Sequence, residues 1–302
     1  MLAENNDRMP QSQGPHLSTQ TVNVAGLRTQ YLVAGAGPPL VLLHGIGASA
    51  VDWQWVIPGL AQHHRVYVLD LPGHGGSAAP DVDYSATLYA HFISDFLDAL
   101  GVDDAAVVGH SLGGLAALCL ALTAPGRVRA LVLVDSAGLG HEVNVGLRLV
   151  TTPGYGDLTM MWIATPLGSV QRVLARLPML FANPARAPVE WLREQYRLGQ
   201  QAGFRRATLA ELRSQVDLAG QRRIMVEQLG QLAMPTLLIW GEYDQVVPVD
   251  HARAALAHLQ HGQLSVIPDS GHLPQIEQPQ RFVTALSNFL DEGDQRSCGS
   301  NQ

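Results

Sequence analysis

Residues 105–114 read AAVVGHSLGG, and this stretch decides the fold. Four apolar residues lead into Gly109, a serine stands at Ser111, and the pair Gly113–Gly114 opens a second apolar run, LAALCLALTA. A short continuous apolar run is a strand buried on both faces, and the longer run after it is a helix. A serine at such a junction is either an ordinary turn residue or a hydroxyl held up as a nucleophile. The five residues GHSLG fit G-x-S-x-G with the strand and helix that motif requires. Its glycines have a steric reason: side chains two residues before and after so sharp a turn would collide with its neighbours. We therefore expect Ser111 to be a nucleophile set at the start of a helix, whose free amides offer positive potential to an anion.

The pattern repeats outward from this elbow. Residues 38–45 (PPLVLLHG) and 65–75 (RVYVLDLPGHG) are further apolar runs ending in glycine, and residues 128–136 end as LVLVDS. Residues 87–100 (TLYAHFISDFLDAL) have helical spacing and stop at Gly101. The opening TVNVAGLRTQYLVAG is expected to be a hairpin turning at Ala25–Gly26. Strands alternating with helices give an α/β fold with a mostly parallel sheet covered on both faces. From Ala137 to Leu232 strand-like runs disappear and helical, proline-punctuated segments take over; the sheet pattern resumes at PTLLIWGEYD. This organisation is a mobile leader over 1–20, a core from 21–136 and 233–291, a helical cap over 137–232 and a loose tail over 292–302.

In open parallel sheets ligands sit beyond the carboxyl ends of the strands. His44, Asp70, Ser111 and Asp135 stand there. Serine needs a base, and of twelve histidines His272, behind Gly271 on the loop after a strand, is placed to reach over the sheet. His110 is expected to point away from Ser111, and His44 to brace its loop. The histidine in turn needs an acid. Asp244, in LLIWGEYD, is preferred over Asp135, Glu242 and Asp269, with Asp135 the serious rival. Two amides for the oxyanion come from Leu112 and from the loop LLHGIGAS, where Ile46 N–H is the choice.

Composition excludes other classes. A formal charge of −7 without a basic stripe leaves nucleic acid unsupported. Cys119 and Cys298 have neither metal spacing nor a disulfide framework, so a cytoplasmic setting is expected and no metal site. The apolar stretch 105–124 is broken by Gly109, His110, Ser111 and two more glycines, so no membrane span is expected.

With these residues in place, the chain resembles the α/β-hydrolase superfamily over about Val22 to Leu290. It is similar to the serine esterase and C–C hydrolase branch that carries a helical cap, through LLHGIG, LDLPGHGGS, GHSLGG, GEYDQVVP and SGHLPQIEQP in order. The resemblance implies an eight-stranded, mostly parallel sheet, no cofactor, and acyl transfer to water through an acyl-enzyme. A serine at the elbow disfavours the dehalogenases and epoxide hydrolases of this fold, which carry aspartate there. The HGIG loop lacks the HGGG of many lipases and the HGxGPG that often accompanies ring-cleavage-product hydrolases. The expected activity is carboxylic ester hydrolysis of a small-molecule substrate. Hydrolysis of a C–C bond in a diketone-type aromatic degradation product, or acyl transfer to peroxide, is the alternative; a ligand-binding receptor on the same fold is the non-enzyme alternative. In the cap, MMWIATPLG and PMLFANP are apolar enough to line a pocket or to be core.

Overall fold

The computed structural model describes residues 17–299, with side chains through Gly293. An eight-stranded sheet forms its centre. The strands are β1 (Ser18–Val24), β2 (Leu27–Ala34), β3 (Pro39–Leu43), β4 (Arg65–Leu69), β5 (Ala105–His110), β6 (Val128–Val134), β9 (Thr236–Gly241) and β10 (Gly262–Ile267); β7 (Val216–Asp217) and β8 (Gly220–Gln221) form a separate two-residue hairpin. The sheet order is β1-β2-β4-β3-β5-β6-β9-β10. β2 runs antiparallel to β1 and to β4, and every pairing from β4 to β10 is parallel. The first hairpin turns at Ala25–Gly26 as expected, with both residues at positive φ and the Gly26 N–H on Asn23 Oδ1 at 2.8 Å.

The continuous apolar runs follow from cover on both faces. Val41, Leu43, Val107, Leu131 and Leu133 enter one core layer, and Leu40, Leu42, Val108, Val132 and Val134 enter the other. Helices α2 (Ala86–Ala99) and α3 (Leu112–Thr123) cover the first layer. The short α1 (Ile57–Leu60) and the last helix, α11 (Pro279–Gly299), cover the second. α2 starts on Ser85, whose hydroxyl accepts the Leu88 N–H, and ends at Gly101, with the Val102 N–H returning to Leu97 O at 2.9 Å. That is the closure a left-handed glycine permits. α3 is apolar all round, which is stable only for a helix packed on every side. α9 (Asp250–Leu256) and α10 (Pro274–Glu277) complete the core.

Between β6 and β9 lies the cap: α4 (Val145–Val150), α5 (Tyr155–Ile163), α6 (Pro166–Leu180), α7 (Val189–Gln200) and α8 (Ala202–Gln215), followed by the β7–β8 hairpin. The termini differ from expectation. The first sixteen residues of the leader lie outside the described residues, but Ser18–Gln20 already belong to β1. α11 continues to Gly299, past the expected boundary at 291; the last three residues lie outside the described ones. Polar composition does not end a helix, and Gly293 alone costs it only about 1 kcal/mol. Among the described residues no helix is long and apolar enough to cross a membrane.

The elbow is built as the motif requires. Ser111 holds φ 53° and ψ −118°. A Cβ on Gly109 would overlap the Gly113 carbonyl, and one on Gly113 would lie 2.5 Å from the His44 carbonyl oxygen. All of these neighbours are backbone and have no room to move. We predict that Gly109→Ala destabilises the protein by roughly 3 kcal/mol or more, within the range for core overpacking. Chemical denaturation should show it as a lowered midpoint, and an unchanged midpoint would contradict the packing described.

Candidate active site

Ser111 follows β5, Asp135 follows β6, Asp244 follows β9 and His272 follows β10, so the parallel strands deliver all four to one end of the sheet. His272 Nδ1 donates to Asp244 Oδ2 at 2.8 Å, with both side chains buried. The other oxygen of Asp244 accepts the N–H groups of Val246 and Val247 at 2.7 and 3.0 Å. Three donors therefore fix the orientation of this carboxylate. Glu242 and Asp269, the other rivals, do not enter the arrangement: Glu242 Oε2 instead accepts the Asp269 N–H at 3.3 Å. Asp70 is occupied in bracing loops, through Ala50 N–H and Gly76 N–H at 2.7 and 2.9 Å.

Ser111 and His272 line the same cavity under the cap, together with Ile46 and Leu112. The Ser111 hydroxyl makes no hydrogen bond among the described residues, to His272 or otherwise. Bonds of this kind are commonly long in unliganded sites and tighten when substrate binds. Nor do the Ile46 and Leu112 amides have a protein acceptor among the described residues. The two N–H groups expected to meet an oxyanion are thus unengaged at the cavity wall. His44 braces this loop as expected: Nδ1 donates to Gly45 O at 2.9 Å, and Nε2 accepts the Leu71 N–H at 3.1 Å. Burial, reinforced by His74, lowers its pKa to about 3, so it stays neutral.

His110 departs from expectation. Its ring does not turn away but lies 4.7 Å from the His272 ring, and its Nε2 donates to the His272 carbonyl oxygen at 2.7 Å. Burial, then the nearby His272, pushes its pKa well below the usual imidazole value, so it is a fixed neutral strut. The residue before so sharp a turn no longer obeys strand alternation. Glu277 was also not singled out from the sequence. Its carboxylate accepts the N–H groups of Gly271, Ala182 and Asn183 at 2.7, 2.9 and 3.1 Å, tying the His272 loop to the end of α6. The His272 N–H bonds Leu180 O at 2.8 Å across the same seam.

The cap supplies the charge. Arg172 and Arg176 of α6 lie half-buried over Gly47, whose φ of +68° favours glycine. Arg172 donates to Gly47 O at 3.1 Å. Arg176 lines the cavity, its Nε has no partner, and burial lowers its pKa to about 10. The carboxyl that faces it, Asp52, is raised by burial to about 7, with Arg176 acting in the opposite direction. MMWIATPLG does not line this cavity: Ile163 is buried in the core, but Met161, Trp162 and Leu167 are 69, 45 and 66% exposed. In PMLFANP, Met179 and Leu180 do line the cavity, while Phe181 packs edge-on against Trp191.

A sequence profile described as the alpha/beta hydrolase fold matches residues 38–279. The chain belongs to this family. This α/β hydrolase is 32% identical over 283 residues to the 2-hydroxy-6-oxo-6-(2'-aminophenyl)hexa-2,4-dienoic acid hydrolase of Metapseudomonas resinovorans, covering 89% of each chain. A solved serine hydrolase involved in carbazole degradation, CarC, superposes with a TM-score of 0.77 at 31% identity, covering 91% of this chain and 99% of the other. A bacterial membrane phospholipase A superposes with the same score at 27% identity, covering 92% and 87%. The α/β hydrolase is thus a hydrolytic enzyme related to the C–C bond hydrolases of aromatic degradation, although its HGIG loop lacks the HGxGPG form. The cap holds that loop: Ser49 donates to Glu194 Oε1 of α7 at 2.6 Å, and Gly47 O is bound by Arg172.

A second buried pair joins cap to core. His74 Nε2 lies 3.2 Å from Glu211 Oε2 of α8, and its Nδ1 faces Pro72 O at 3.1 Å. Burial acts to lower the His74 pKa, but the Glu211 carboxylate outweighs it and the net shift is upward. The unfolded value is about 6.5. A histidine raised on folding stabilises the native state fully below that pH, and the contribution is lost as pH rises through the folded value. His74→Gln should therefore lower the melting temperature more at pH 6 than at pH 9; an equal loss at both would contradict the charged pair.

Proposed function

We propose that this α/β hydrolase cleaves a C–C bond in a carboxylate-bearing, vinylogous diketone, with Ser111 as nucleophile, His272 as base and Asp244 as its acid. The observation that carries the substrate class is Arg176. Its half-buried guanidinium has an Nε with no partner among the described residues and faces a carboxyl raised by burial to about 7, which leaves positive charge in a largely apolar cavity whose lining also carries Arg223. A substrate carboxylate balances it, and a simple neutral ester does not. The dienoic acid named for the Metapseudomonas relative carries such a group.

The steps follow from the geometry. His272 takes the Ser111 proton as Oγ attacks the ketone carbonyl. The oxyanion rests on the Ile46 and Leu112 amides. As the C–C bond breaks, its electron pair passes into the conjugated carbonyl as an enolate, held at its carboxylate end by Arg176 and protonated by the His272 imidazolium. Water then gives a proton to His272 and attacks the acyl-enzyme; the acid leaves and Ser111 regains its proton. One water is consumed, and an acid and an enol are formed. Ester hydrolysis uses the same serine, with an alcohol as leaving group. The likeness to a phospholipase keeps it as the second reading.

The discriminating assay compares a 6-substituted 2-hydroxy-6-oxohexa-2,4-dienoate, its methyl ester and p-nitrophenyl acetate. We expect the free dienoate to have the highest kcat/KM. Arg176→Gln should lower that value about 100-fold, as for a lost charge-assisted hydrogen bond, and leave p-nitrophenyl acetate within about threefold. A preference for the methyl ester, with no effect of the variant, would overturn the reading.

A further inference from the structure

Asp135, the rival acid in the sequence, is brought to the same place as Asp244. An oxygen of each carboxyl and a ring nitrogen of His272 lie within 4.8 Å of one another, all buried. We propose that Asp135 is a positioning residue: its carboxyl group keeps its proton and donates it as a hydrogen bond to Asp244, fixing the acid that holds His272. The inference rests on the reading of Asp244 and His272 given above.

The hydrogen-bond inventory assigns the proton. Asp244 receives Val246 N–H and Val247 N–H on one oxygen and His272 Nδ1–H on the other. Asp135 receives one donor, the Gly241 N–H on Oδ1 at 2.8 Å. Its Oδ2 is buried and no donor among the described residues reaches it. Two carboxylates in one dry pocket cannot both be charged, and the one with more donors keeps the charge. A proton on Asp135 Oδ2 turns that orphan oxygen into the donor the pair lacks. Burial, then the Asp244 charge, pushes Asp135 well above the usual carboxylate range, and Glu277 of α10 adds to it. The titratable groups facing it are thus Asp244 after β9, His272 after β10 and Glu277. Asp135 also holds φ 43°, a strained value for a side-chain-bearing residue, so the turn after β6 is set to aim this group.

Two consequences separate this role from an ionised acid or a passive core group. Asparagine reproduces a protonated aspartate, with Oδ1 accepting from Gly241 and Nδ2 donating to Asp244. Asp135→Ala should lower kcat about tenfold with KM unchanged, and Asp135→Asn should restore it to within about threefold. Asp244→Asn should lose roughly 10⁴-fold, as for loss of a triad acid. Stability gives a readout independent of turnover. A carboxyl whose pKa is raised on folding favours the native state below its unfolded value, about 3.9, and opposes it increasingly as pH rises towards the folded value. Asparagine has no such proton to hold. The stability of Asp135→Asn relative to the parent should therefore grow about tenfold in equilibrium constant per pH unit across that window.

The experiment is denaturation of parent, Asp135→Asn and Asp135→Ala from pH 4.5 to 9, with p-nitrophenyl acetate kinetics on the same samples and on Asp244→Asn. A widening stability gap with rescue by asparagine supports the proposal. A flat gap, failure of Asp135→Asn to fold, or an asparagine loss equal to that of Asp244→Asn overturns it. Were Ser111→Ala to hydrolyse at the parent rate, the nucleophile reading would fail instead, while the denaturation series would still report on the Asp135 proton.

Discussion

The site depends on a turn that few residues can make. Ser111 sits at φ 53° and ψ −118° because β5 must reverse into α3 within one residue, and that reversal brings backbone so close that Gly109 and Gly113 have no room for a side chain. Strain of this kind persists only where the surroundings over-determine it. Here they do: the Ser111 N–H is bound to Val134 O of β6 at 2.9 Å, its carbonyl oxygen accepts from Gly114, Leu115 and Ala137, and α3 is buried on all sides. The hydroxyl is left as the group with no internal partner, facing the cavity.

Around that fixed point the cap is fastened by charge rather than by apolar packing alone. Glu277 ties the His272 loop to the end of α6, Ser49 meets Glu194 of α7, and His74 pairs with Glu211 of α8. The first two of these contacts join the cap to loops that carry His272 and Ile46. Arg176 comes from the same helix that closes the cavity, so closure and charge arrive together. The acid side has a similar economy, with Asp244 gathering donors from its own turn and from His272, and Asp135 set beside it by the next strand.

The sheet, its order of elements and the strand-end residues were legible in the sequence because each strand is covered on both faces and ends abruptly in a turn. Ser111, Asp244 and His272 stand beyond the ends of β5, β9 and β10, and Ile46 and Leu112 line the same cavity as Ser111 and His272. What escaped depends on contacts between distant segments. Arg176 lies in an amphipathic helix, where an arginine reads as a solvent-facing residue, and Glu277 looks like any acid in a short helix. His110 was expected to point away from Ser111, yet it lines the same cavity beside His272. MMWIATPLG misled in the opposite direction: apolar composition signals burial only when something covers it, and α5 with the start of α6 leaves Met161, Trp162 and Leu167 open. The loop HGIG was weighed for what it lacks, and its contacts with the cap, Gly47 with Arg172 and Ser49 with Glu194, could not be read from sequence.

The central claim is that His272 activates Ser111 across the cavity they share. The direct measurement is reaction with a fluorophosphonate followed by peptide mass mapping. The account requires a single phosphonyl adduct on the peptide containing Ser111, no adduct in Ser111→Ala, and labelling of His272→Ala slowed by about a thousandfold or more. An adduct on another serine, or labelling of Ser111 at an undiminished rate without His272, would contradict it.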